Sequence, residues 1–232
     1  RLFNVVLHPT PNSILFWDMI VLNGYLLLNI VIGWSNLHAE HKGLSHPKWV
    51  KPLVYLSIVW AVSIHTVTAF LYQGLPGRHY WLTAILAARF LSSAFCSGPA
   101  ILLILALIAK KVAKYDPGEK AVQTLATIIT YAMVINVFFF LLEVFTAFYS
   151  DIPGHTHTLA YLFTGLHGAG SLVGWMWVMA VCAILSLVLL IPPQFRQKPE
   201  LLVPGLILLI AATWIDKGLG LVVGGFIPNP FE

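Results

Sequence analysis

HTVTAFLYQGLPGRHYWLTAILAARFLSSAFCSGPA, residues 65–100, is the stretch on which the fold turns. It closes one apolar helix, turns through Gly74, Pro76 and Gly77, and opens a second apolar helix that carries Arg89 in its interior. A guanidinium inside a run of that length is expensive in hydrocarbon, so it marks either a functional site or an ion pair within a helix bundle. The remaining sequence is read by asking what Arg89 faces.

Working outward, 59% of the 232 residues are hydrophobic and only 9% are charged, with a mean hydropathy of +0.85. A water-soluble domain needs more charge than this, which points to a polytopic membrane protein. The formal net charge of +4 is modest and the basic residues lie in short loops, a pattern that fits a membrane protein better than a nucleic-acid-binding surface, and no nucleic-acid partner is expected. Cys96 and Cys182 both lie in apolar runs and form no C-x-x-C, so packing is expected of them and neither a metal nor a c-type haem. The first residue is Arg, no signal peptide precedes the first span, and the chain stops abruptly at Glu232; a piece of a longer polypeptide is expected.

Six apolar segments are predicted to span the membrane, at residues 13–34, 52–72, 81–109, 121–149, 168–191 and 201–224. Local punctuation agrees: Pro11 and Ser13 precede the first span, Asp116, Pro117 and Gly118 precede the fourth, and Pro192 and Pro193 stop the fifth. Nine of the thirteen basic residues (Lys42, Lys48, Lys51, Lys110, Lys111, Lys114, Lys120, Arg196 and Lys198) fall in alternate loops. By the positive-inside rule those loops are cytoplasmic and residue 1 is outside, as in a multi-pass protein of the cytoplasmic membrane. Trp17, Trp34, Tyr72, Trp81 and Tyr149 are expected to form an interfacial belt. His38, His41 and His46, and the pair His155 and His157, are read as solvated loop histidines without a metal framework.

With this orientation and a rise of about 1.5 Å per residue, Asp18, His65, Arg89, Glu143 and Lys217 all lie roughly 8–12 Å below the outer boundary. Asp216 adjoins Lys217, and His167 opens the fifth span on the same side. A polar chamber facing the extracytoplasmic side is the natural reading. On the first span Asp18, Tyr25 and Asn29 share a stripe; on the third, Arg89, Ser92, Ser93 and Cys96 form another. Either Asp18 or Glu143 could answer Arg89 in a purely structural ion pair. Three carboxylates (Asp18, Glu143, Asp216) oppose two certain cations (Arg89, Lys217), so unless a histidine is charged one carboxylate is expected to be neutral and able to take up or release a proton.

Such a chamber suits a quinone, whose head group gains and loses protons as electrons move and whose tail needs apolar walls. Arg89 or His65 would hold the head, Asp18 would exchange the proton and Tyr25 would add a hydrogen bond. The same residue types serve a proton- or ion-translocating subunit or secondary transporter without quinone chemistry, and the glycines around 165–170 and 218–225 would fit broken helices. A cytochrome b would need facing histidine pairs, for which His65 and His167 are the candidates.

The segments at residues 65–100, EVFTAFYS at 143–150, LFTGLHG at 162–168 and WIDKGLGLVVGGFIPNP at 214–230 resemble the NrfD, or polysulfide-reductase membrane-subunit, family, and within it the DsrP-type subunits of the DsrMKJOP sulfite-reduction-associated complex. The resemblance implies an all-α integral membrane fold built from two four-helix bundles, of which this stretch supplies six transmembrane helices. Residues 1–115 would belong to the first, quinone-binding bundle and 116–232 to the second. It further implies a bound quinone such as menaquinone, and no haem or iron-sulfur cluster on this chain. The implied partners are an extracytoplasmic ferredoxin-like iron-sulfur subunit, a multihaem cytochrome c, a cytochrome b-type membrane subunit and a cytoplasmic iron-sulfur subunit. Carried over by motif, WDMIVLNGY supplies Asp18 and Tyr25, HTV supplies His65 and AARFL supplies Arg89. Glu143, His167, Asp216 and Lys217 form a candidate proton path in the second bundle.

Overall fold

In hydrocarbon the backbone must satisfy its own hydrogen bonds, and a helix does so within one segment. The computed structural model describes residues 2–114, 116–166 and 170–227, and every regular element among them is helical. In chain order these are α1 (Leu2–Leu7), α2 (Ile14–His41), α3 (Val50–Gln73), a 3₁₀ turn (His79–Trp81), α4 (Leu86–Val112), α5 (Glu119–Tyr149), α6 (Pro153–Phe163), α7 (Val173–Leu190), α8 (Pro193–Arg196) and α9 (Pro199–Ile215). The last continues as a π-helix (Asp216–Val223) and a 3₁₀ turn (Gly224–Phe226). Six of these helices, α2, α3, α4, α5, α7 and α9 with its continuation, are long and apolar enough to cross a membrane. The protein is a multi-pass membrane protein of the expected all-α class.

The chain divides into two compact units, Arg1–Leu75 and Pro76–Glu232. In the first, α2 packs along α3. The Trp60 indole donates to the Val21 carbonyl across this seam at 2.8 Å and lies against Gly24, where any Cβ would strike the ring. In the second, α4 packs on α5 and α9, and α7 packs on α9 and α5, closing a ring of four helices. From sequence the division is expected at 115, which groups the third span with the first two. In the structure that span, α4, belongs to the second unit, and its buried Arg89 finds its countercharges there.

Other departures have local causes. Helix α2 runs seven residues beyond the apolar run, because nothing in WSNLHAEH breaks a helix before Gly43, whose φ of +65° ends it. His38 and His41 therefore lie in its last turn. Gly118, at φ +81°, feeds the chain into α5 while its N–H donates to the Asp116 carboxylate at 3.2 Å, so the expected break is built as an Asx-type turn. The residues before the third span form the 3₁₀ turn, and α4 starts at Leu86. Trp81 is not an interfacial anchor: it is 1% exposed, donates to the Leu221 carbonyl at 2.9 Å and packs edge-on against Phe226. Trp17, Trp34 and Tyr149 are exposed, as a belt requires. His155 and His157 sit on α6, with His155 buried, rather than in a solvated loop.

Candidate functional site

The first unit assembles a small polar site on an apolar background. Asp18 lies one turn into α2 and is 8% exposed; on α3, the Thr68 hydroxyl donates to its Oδ1 at 2.7 Å. His65 is half-buried three residues before Thr68, on the same side of α3. Asp18 and Asn23 form the polar part of the wall of a groove of about 540 Å³, whose other lining includes Val6, Leu15, Met19 and Leu22. Tyr25 is half-buried on α2, and Asn29 is exposed, its amide donating to the Tyr25 carbonyl at 2.8 Å. The expected stripe is therefore graded, and only its Asp18 end is buried.

Among the described residues, the densest cluster of charges lies in the second unit. Arg89 is 1% exposed on α4. Its Nη1 donates to Glu143 Oε2 of α5 and its Nη2 donates to Asp216 Oδ1, at the start of the π-helix, at 2.8 Å. Of the two carboxylates weighed as its partner, Glu143 is the one that pairs, joined by Asp216. Lys217 Nζ lies 3.0 Å from Asp216 Oδ2. Neighbouring side chains of an α-helix point apart, and the pair meets here where the helix changes from α to π. Aromatic faces complete the setting: the Arg89 guanidinium is 5.4 Å from the Phe140 ring centre and Lys217 is 5.9 Å from that of Phe90. Tyr80, buried in the 3₁₀ turn, lies within hydrogen-bonding reach of Arg89; burial and the Glu143 charge push its phenol above the usual tyrosine range, so it stays neutral.

The polar stripe of α4 is buried along its length, with Ser92, Ser93 and Cys96 following Arg89. The Ser92 hydroxyl reaches Asn136 Oδ1 of α5 at 3.3 Å. Around the ion cluster, two carboxylates meet two cations, so their charges cancel. Asp18 is the carboxylate left over from the sequence count, and its hydrogen bond comes from a neutral hydroxyl.

A cavity of about 600 Å³ reaches the cluster between the loop before α4, the end of α5 and the start of α6; Glu143, Thr146, Thr83, Ala84 and His155 line it. His155 is 8% exposed and within hydrogen-bonding reach of the His79 and Leu82 backbone. Burial holds its imidazole below the ordinary histidine range, against the opposing pull of Glu143. Sequence reasoning missed this histidine because α6 is short and mixed in polarity, although the Ile152-Pro153 start is a legible helix signal. His167, expected on the proton path, lies outside the described residues.

Comparison with known proteins agrees with this membrane architecture. The family model described as "Polysulphide reductase, NrfD" matches residues 1–216. The chain is 23% identical over 224 residues to a selenate reductase subunit of Mesobacillus selenatarsenatis, covering 82% of this chain and 51% of that protein. It is 24% identical over 251 residues to a putative dimethyl sulfoxide reductase membrane subunit of Halobacterium salinarum, covering 97% of this chain and 54% of that one. The chain thus spans about half the length of the curated relatives it matches.

Proposed function

This chain belongs to the NrfD family, and we propose that it is the quinone-binding membrane subunit of a reductase complex, passing electrons between a membrane quinone such as menaquinone and an extracytoplasmic partner. The observation that carries this reading is the apolar groove of the first unit with the Asp18 carboxylate in its wall. An isoprenoid tail would lie along Val6, Leu15 and Leu22, and a head-group oxygen would meet Asp18. When bound, the quinone supplies the two-electron, two-proton chemistry. Asp18, steadied by Thr68, takes or returns a proton at its carboxylate, and His65 lies one turn along α3 to serve the same exchange. Arg89, committed to two carboxylates, contributes as a fixed charge of the second unit rather than as a free ligand.

Both relatives are reductase subunits by name, and the halobacterial one is a membrane subunit, which supports a membrane role serving separate catalytic partners. An iron-sulfur subunit with a multihaem cytochrome c, in the manner of the DsrP-type complexes, is the partner set we favour, with the Lys-rich loops on the cytoplasmic side. A second reading, ion or proton translocation, is favoured by the four-charge cluster of the second unit. The test is quinone content and inhibitor titration of the purified complex, with quinol-dependent turnover. Asp18→Asn is expected to abolish turnover while leaving assembly intact; full turnover in that variant sinks the assignment.

A further inference from the structure

The ion cluster is not sealed on all sides. Glu143 is 3% exposed, and only one of its oxygens is engaged: Oε2 takes the Arg89 bond, while Oε1 is buried without a hydrogen-bond partner among the described residues. A carboxylate has acceptor capacity on both oxygens, and leaving one buried and unmet is costly. Glu143 is also part of the wall of the 600 Å³ cavity, ample for several waters at about 30 Å³ each. His155 of α6 and His79 of the 3₁₀ turn line the same cavity, with Thr83 and Thr146 as further polar groups.

We propose that this cavity is a proton antechamber, in which Glu143 Oε1 exchanges protons with cavity water and His155 is the relay at its wall. In the forward step an N–H bond of the His155 imidazolium breaks, the proton crosses by cavity water, and an O–H bond forms at Glu143 Oε1. The imidazole is left neutral and is recharged from outside. Glu143 is faced by Arg89 of α4, by Asp216 and Lys217 of the π-helix, by Tyr80 of the 3₁₀ turn and by His155 of α6. Once Glu143 is neutral, Asp216 is the carboxylate charge still facing Arg89, and the cluster carries one net positive charge instead of none. The exchange is therefore a local charge switch, and it is independent of quinone chemistry in the first unit.

The test is infrared difference spectroscopy of the purified complex, following the C=O band of a protonated carboxyl on acidification and its shift on mixing into D₂O. In the wild type a band is expected to grow as pH falls and to exchange rapidly. Glu143→Gln should remove one rapidly exchanging component of it, while Asp18 and the other carboxyls keep theirs. Thr146→Trp, at an exposed position lining the cavity, leaves the carboxylate in place and should slow deuterium exchange of the band by about tenfold or more, as should His155→Gln. An undiminished band in Glu143→Gln, or wild-type exchange of the Glu143 component in Thr146→Trp, overturns the proposal. Neither reading uses quinol turnover, so the outcome separates from that of the Asp18 experiment.

Discussion

Replacing Arg89 with Met tests whether the second unit is held by charge balance. The substitution keeps a long apolar stem but turns a neutral cluster into one with a net negative charge, in a place where Glu143 and Asp216 are 3% and 4% exposed. Asp216 keeps Lys217 at 3.0 Å, so the burden falls on Glu143. Removing one member of a buried pair typically costs about 3–5 kcal/mol, because the remaining charge is left uncompensated. At roughly 2–4 °C per kcal/mol for a chain of this size, the melting temperature should fall by roughly 6–20 °C. Adding Glu143→Gln restores neutrality and should recover part of that loss, giving a favourable coupling of at least about 1–3 kcal/mol in a double-mutant cycle. Thermal unfolding in detergent, read by the fluorescence of the eight tryptophans, measures all four species. Additive losses in the double variant would refute the charge-balance reasoning and leave Arg89 as a packing residue.

Two further outcomes are expected. Gly225→Ala should destabilise the second unit by about 1–3 kcal/mol, because the new Cβ would strike the Trp81 indole and disturb its bond to Leu221; a wild-type melting temperature would show that the indole can move aside at no cost. Asp116 pairs with Lys110 at 3.0 Å, and that hydrogen bond, followed by the Gly118 N–H, holds its carboxyl below the usual 3.8. Its contribution to stability is therefore present above that value and fades as pH falls through the lower folded-state value. Lys110→Ala should bring the carboxyl back toward the ordinary range in a titration followed by NMR of labelled aspartate; an unchanged titration would assign the shift to Gly118 alone.

Hydropathy made the six spans legible, since each needs about 20 apolar residues and little else in the chain is so poor in charge. It left the helix ends undecided, because α2 ends where Gly43 lets it, not where its residues turn polar. Arg89, Glu143, Asp216 and Lys217 stood out from sequence because ionisable groups in apolar runs are rare, and the depth count set them at one level. Which carboxylate pairs with Arg89 was not legible, because span order does not say which helices are neighbours. That same ambiguity drew the boundary at 115, whereas α4 packs with α5 and α9. Trp81 was misread because a tryptophan at a span end looks the same whether it faces lipid head groups or inserts against a glycine. His155 was hidden by its polar neighbours, and only the fold brings it to the cavity that Glu143 lines.

The π-helix at Asp216–Val223 solves a problem of angular phase. One helix must turn Asp216 toward Arg89 and, nine residues later, turn Gly225 toward Trp81. At about 100° per residue, a regular α-helix would rotate through about 900° over that interval and present the two residues on opposite sides. The i→i+5 turns of Asp216–Val223 hold more residues each, so that segment completes less rotation than an α-helix of the same length, and its width sets the phase between the two contacts. The wide segment thus acts as a gauge block: shortening it by a single residue would leave the charge cluster and the tryptophan seat competing for the orientation of the same rod.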